Sequence, residues 1–283
     1  MKREHAHDAT APDEPSAVDI FMHSTAALIE EATQGAKALH HDSDAESIHQ
    51  LRVTVRRLRS IWWVYRPLLP APERGRQEAG LKLITTAAGK ARDWDILVEL
   101  FASRKRGKRA SRFVDELSAR RKEALEASHA ELQSIDVEST LTTAFEQAAS
   151  ALQTAEPMPA RRFARRGAKS AEATLRKRMK RANKAKRSDY AAFHDVRKAA
   201  KRLRYALEFF DDEPRTDHGC VLKALKDIQQ RYGALNDIVT SEAMLRAEFP
   251  ERVSEIRWLE RKRRRRLRKA EGLLPGSKRL WPD

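Results

Sequence analysis

Apolar residues return every three or four positions along most of this chain, and no stretch alternates apolar with polar as a half-buried strand does. The pattern predicts an all-α protein. It places helices from Val18 to His41, from about Asp42–Asp44 to Leu69, and from about Glu73 to Ser103 with an interruption near Gly89. Further helices follow from Arg112 to Gln133 and from Val137 to Thr154. Pro67, Pro70 and Pro72 close the second element, because proline removes a backbone donor and clashes with the preceding turn. Two prolines between Glu156 and Pro159 mark a boundary. Beyond it the pattern resumes at Arg161–Lys186 and Asp189–Phe210, breaks at Asp211–Pro214, and continues from Asp217 to Phe249 with a second break near Gly233. A last helix carries Arg261–Lys269, and the chain reads as irregular from Gly272. The expected organisation is a disordered leader over 1–17, a helical domain over 18–275 with halves at about 18–155 and 160–275, and an irregular tail over 276–283.

The two halves share a motif. IHQLRVTVRRLRSIWWVY from Ile48 aligns without a gap on FHDVRKAAKRLRYALEFF from Phe193. His49 then meets His194, Arg52 meets Arg197, Arg56 meets Lys201, Arg57 meets Arg202, and Arg59 meets Arg204. At about 100° per residue, His49, Arg52, Arg56 and Arg59 form one narrow stripe, and so do their counterparts. Beside each stripe runs an apolar one: Ile48, Leu51, Val55, Leu58 and Trp62 on the first helix, Phe193, Val196, Ala200, Leu203 and Leu207 on the second. If the apolar stripes pack inward, the cationic stripes meet at the bundle edge. RDWDIL at Arg92–Leu97 corresponds loosely to ALNDIV at Ala234–Val239, which aligns Asp95 with Asp237 and extends the duplication. The architecture expected from the duplication is two copies of a helical bundle side by side, related by approximate two-fold symmetry.

Charge sharpens this picture. The chain has 57 Lys and Arg against 41 Asp and Glu, a formal net charge of +16, so it attracts nucleic acid, anionic lipid or another polyphosphate. No acidic residue lies between Gln50 and Tyr65, and self-repulsion there calls for a counter-anion. Arginine suits that anion because its planar fork matches phosphate oxygens. A single cysteine, Cys220, cannot bridge within the chain, and no apolar run reads as a signal peptide or membrane span, so the expected address is cytoplasmic. There is no Walker loop, H-E-x-x-H, C-x-x-C or G-x-S-x-G, which leaves no catalytic residue, cofactor or metal to assign. Asp93, Asp95 and Asp237 read best as carboxylates that orient arginines; magnesium-dependent hydrolysis is the competing use. The run Arg261–Lys269 reads as a solvated helix face or an auxiliary anion site, and Trp62, Trp63 and Tyr65 sit where core packing accounts for them.

At IHQLRVTVRRLRS, ARDWDIL, FHDVRKAAKRLRYALEFF and YGALNDIV the chain resembles the CHAD family, the conserved histidine α-helical domain, in its stand-alone form. The resemblance implies an all-α fold of two pseudo-symmetric four-helix bundles around a basic central cavity, a non-catalytic module that binds inorganic polyphosphate there, and extends the expected address to polyphosphate granules. Carried onto this chain it implicates His49, Arg52, Arg56, Arg57 and Arg59, and His194, Arg197, Lys198, Lys201, Arg202, Arg204 and Tyr205. Arg165, Lys169, Arg176 and Lys180 on the preceding helix are weaker candidates. Ser60 stands where the second copy has Tyr205, so the stripes are expected to contribute unequally. The same charge makes non-specific nucleic-acid binding the alternative.

Overall fold

Each helix begins and ends for a local reason. Ser16 Oγ accepts from the Asp19 amide at 3.1 Å while the Asp19 carboxylate takes the Ser16 amide at 3.1 Å, a capping box that opens α1 (Ala17–Ala38). The computed structural model describes residues 15–39, 45–104, 108–186, 189–209 and 219–274. Among these, α2 spans Ala45–Tyr65, a 3₁₀ turn at Arg66–Leu68 follows Tyr65, and α3 (Ala71–Ala87) restarts with Pro72 in its first turn. Then come α4 (Lys90–Ala102), α5 (Lys108–Ser134), α6 (Val137–Gln153), α7 (Ala160–Lys184), α8 (Tyr190–Phe209), α9 (Gly219–Glu248) and α10 (Val253–Glu271). No strand occurs among the described residues; Ser16 and Pro159 form an isolated bridge. Of the disordered leader expected over 1–17, residues 15–17 are instead ordered, since Ser16 caps α1 and Ala17 is buried in its first turn; the rest of the leader, the tail at 276–283, the start at Asp42–Asp44 and the break at Asp211–Pro214 lie outside the described residues.

Gly89 and Gly233 behave differently. At Gly89 a Cβ would sit 3.0 Å from the Thr85 carbonyl oxygen and 3.2 Å from that of Thr86, so glycine is needed where α3 turns into α4. The break expected near Gly233 does not occur, because α9 runs unbroken from Gly219 to Glu248. A mid-helix glycine costs about 1 kcal/mol, and burial of Leu225, Ile228, Tyr232, Leu235, Ile238 and Leu245 on both sides of it outweighs that cost.

Packing produces three cores. In the first, α1 packs on α2 and α6, and α3 closes the set against α2 and α6. In the second, α7, α8, α9 and α10 pack in succession. The third was not separable in the sequence: Leu97, Phe101, Phe113 and Leu117 of the α4–α5 hairpin pack against Ile238, Leu245 and Phe249 of α9 and Ile256 and Leu259 of α10. Every member of the two apolar stripes is buried.

The boundary expected at Glu156–Pro159 is pinned rather than free. Ala17 donates its amide to the Met158 carbonyl at 2.9 Å, Ala160 donates to the Pro15 carbonyl at 3.1 Å, and the buried Tyr65 hydroxyl donates to the Ala17 carbonyl at 2.7 Å. Phe163 of α7 and Ala206 of α8 belong to the first core, and α2 packs on α8. Tyr65→Phe removes the buried hydroxyl's bond to the Ala17 carbonyl, which keeps its helical partner, so denaturant unfolding should show a loss of about 0.5–1.5 kcal/mol.

Candidate anion-binding site

Because α2 and α8 bury their apolar stripes and pack on each other, their cationic stripes face one region. Arg52 is half-buried; its guanidinium is held below its ordinary pKa by burial and by Arg56, and it feels Arg197 across the helix pair and Asp93 of α4. Arg197 is lowered by burial, opposed by Asp237 of α9, and lowered again by Arg56. Its Nε is buried with no hydrogen-bond partner among the described residues. Lys201 is the extreme case: burial, then Arg56, Arg197, Arg59 and Arg204, push its amine down to about 7. Cations from both stripes therefore share one electrostatic environment.

Other groups shape the cluster. Arg197 lies against α9 at Gly233, where a Cβ would sit 3.5 Å from its Nε, an ordinary van der Waals contact. The Tyr205 ring lies under the Lys201 amine at 5.3 Å and the Arg204 guanidinium at 4.9 Å, and Arg204 Nε pairs with Glu208 at 3.4 Å. Ser60, its counterpart, donates to the Arg56 carbonyl at 2.9 Å and offers no such surface. Arg59 donates from Nη1 to Thr85 Oγ1 at 2.9 Å. His194 is lowered by burial, Lys198 and Arg197, is hydrogen-bonded to Asn236, and has its Nδ1 buried without a partner among the described residues. His49 is half-buried at the head of the first stripe.

The predicted residues divide. Arg57 and Lys198 are exposed, Arg57 about 100° around α2 from Arg56. Arg202 faces a different opening: it stacks over Trp63 at 5.0 Å, beside a cavity of about 320 Å³ lined by Arg59, Trp63, Arg66, Glu78 and Lys82. Trp63 is thus half-buried and carries a cation, beyond the purely core role expected of it. Arg165, Lys169, Arg176 and Lys180 are all exposed on α7, Arg176 pairs with Glu172 of its own helix, and none is among the charges that act most strongly on Arg52, Arg197 or Lys201.

The three aspartates also part company. Asp93 and Asp237 are half-buried, each held above its ordinary pKa by burial and drawn back by Arg52 and Arg92, or by Arg197 and Arg92. Asp95 instead pairs with Arg121 of α5 and lies 3.7 Å from Arg92. The carboxylate facing the first motif is Asp93 rather than Asp95, since the loose alignment of RDWDIL on ALNDIV leaves the helix rotation of α4 undetermined. Sequence reasoning also missed Arg92, Asn236 and Arg178, which pairs with Asp195 at 3.0 Å. The first two stand inside the quoted RDWDIL and ALNDIV segments, where proximity to the aspartates was the available signal.

The model of the CHAD domain matches residues 25–246. The chain belongs to the CHAD-domain family. That family is associated with polyphosphate binding. The crystal structure of the CHAD domain from the plant Ricinus communis is similar at a TM-score of 0.76 and 24% identity, covering 94% of each chain. PptA from Streptomyces chartreusis is similar at a TM-score of 0.64 and 16% identity, covering 92% of this chain and 98% of that one. Both likenesses concern the fold. No curated protein sequence matches this CHAD protein.

Lys201 gives a signed prediction. Its folded-state pKa of about 7 lies below the ordinary 10.5 of an unfolded chain, so between those values the unfolded state binds more protons. Stability of the ligand-free protein should therefore rise with pH from about 7 to 10, with the charged amine's penalty fully present below 7. Lys201→Met should flatten that rise and raise Tm at pH 7 by a few degrees, about 2–4 °C per kcal/mol gained, in thermal melts.

Proposed function

We propose that this CHAD protein binds linear inorganic polyphosphate in a basic cavity flanked by the two motif helices, which descend from an internal duplication, and that it associates with polyphosphate granules through this site. The observation that carries the proposal is Lys201, a half-buried amine whose neighbours Arg56, Arg59, Arg197 and Arg204 all add to its repulsion. Such an arrangement is costly when empty and is relieved by an anion that spans both stripes. A polymer with one charge on every phosphate meets that need along a line, and arginine forks supply charge-assisted hydrogen bonds to successive phosphates.

The role proposed is binding without catalysis. Asp93 and Asp237 face arginines, and among the described residues no three His, Cys, Asp or Glu side chains gather as metal ligands would. Incubation with polyphosphate and magnesium should release no phosphate; release would restore the hydrolase alternative.

Calorimetry with short polyphosphate tests the site. Arg52→Ala with Arg197→Ala should weaken binding about 100-fold, from the loss of two charge-assisted contacts. Two alanines within Arg261–Lys269 should change it little, and equal losses would refute a motif-centred site. Affinity should fall with salt at a logarithmic slope of roughly 0.7 per phosphate contact, by analogy with single strands. It should also fall as pH rises above about 7, because the anion raises the Lys201 pKa and binding takes up a proton in that window.

A further inference from the structure

The outer face of α7 is a second cationic surface, separate from the motif cluster. Arg162, Arg166, Lys169, Lys177, Lys180 and Lys184 are all exposed. At about 100° per residue they fall within a sector roughly 80° wide, flanked by Arg165 and Arg181. The opposite face buries Ala171, Leu175, Met179 and Ala182, so packing fixes which way the stripe points. Glu172, the one acidic residue in α7, is turned off the stripe and pairs with Arg176. From Arg162 to Lys184 the row is about 33 Å long at 1.5 Å per residue, close to one turn of B-form duplex at about 34 Å.

Three features choose the ligand class. The row is straight, narrow and rigid, matching a stiff polyanionic rod whose charge is concentrated along its axis. The one aromatic residue of α7, Phe163, is buried, so the face has no ring on which unpaired bases could stack. Its other exposed positions include Ser170, Ala173 and Asn183, and among the described residues the exposed large apolar ones, Leu83 and Val253, lie on α3 and α10, so no side chain of this face inserts into a lipid surface. We propose that the outer face of α7 binds the phosphate backbone of double-stranded nucleic acid without regard to sequence. This does not rest on the polyphosphate reading; if both hold, the protein tethers one polyanion to the other.

The test is binding of the full chain to a fluorescent duplex of about 20 base pairs, two helical turns, at several salt concentrations. Replacing Arg162, Arg166, Lys169 and Lys180 with glutamine should weaken duplex binding more than tenfold and reduce the salt slope by about 0.9 per lost contact. Lys177→Glu with Lys184→Glu, made separately, should reproduce the loss, and both variants should melt like the wild type because the altered side chains are exposed. Short-polyphosphate affinity should be unchanged in this Lys177→Glu, Lys184→Glu variant, whose residues stand outside the candidate polyphosphate site. Arg52→Ala with Arg197→Ala should leave duplex binding intact. The proposal is overturned if the wild type fails to bind duplex, or if glutamines at Arg261, Arg264, Arg265 and Arg268 of α10 abolish binding while the α7 variants do not. Displacement of duplex by equimolar short polyphosphate, or tighter binding to phosphatidylserine vesicles than to duplex, would overturn it equally.

Discussion

Like charges held together at half-buried positions are the constraint around which this protein is built. With α2 packed on α8, Lys201 lies in the field of Arg56, Arg59, Arg197 and Arg204, and Arg52 and Arg197 lie in the field of Arg56; burial strengthens the repulsion at Lys201, Arg52 and Arg197, while Arg59 is exposed. The apolar stripes beside the cations offset that cost. Trp62, Leu58 and Val55 on one helix and Val196, Ala200 and Leu203 on the other are fully or almost fully buried, so neither helix can turn its cations to solvent without exposing its core face.

The third core follows from the same constraint. Asp93 and Asp237 temper the two arginines that lead the stripes, and they come from α4 and α9, which pack on each other. The α4–α5 hairpin and the far ends of α9 and α10 hold that pair of helices in place through Phe101, Phe113, Leu245 and Phe249. Arg197 lies against α9 beside Gly233. The carboxylates are too few to neutralise the cluster, which keeps an excess of positive charge.

The two stripes are unequal. Tyr205 places a ring under Lys201 and Arg204, whereas Ser60 turns back onto its own helix. Arg202 leans on Trp63 of the opposite motif helix, so an aromatic residue of α2 steadies a cation of α8. Aromatic support gives long flexible cations a fixed direction, which lowers the entropy lost when a ligand arrives.

Helix content, the two motif helices, their buried faces and the family were legible in the chain, because amphipathic spacing and charge order are local properties that survive without knowledge of partners. The unbroken course of α9 was not legible, since a glycine's local cost is decided by what packs on either side of it. Nor was the choice of Asp93 over Asp95 or the pairing of Arg202 with Trp63, which depend on how far α4 and α8 are rotated against distant neighbours. Sequence by itself determined which residues carry charge and which face of each helix is greasy. Only the tertiary structure decided which charges meet, because repulsion and burial act through space between helices that the chain separates by more than a hundred residues.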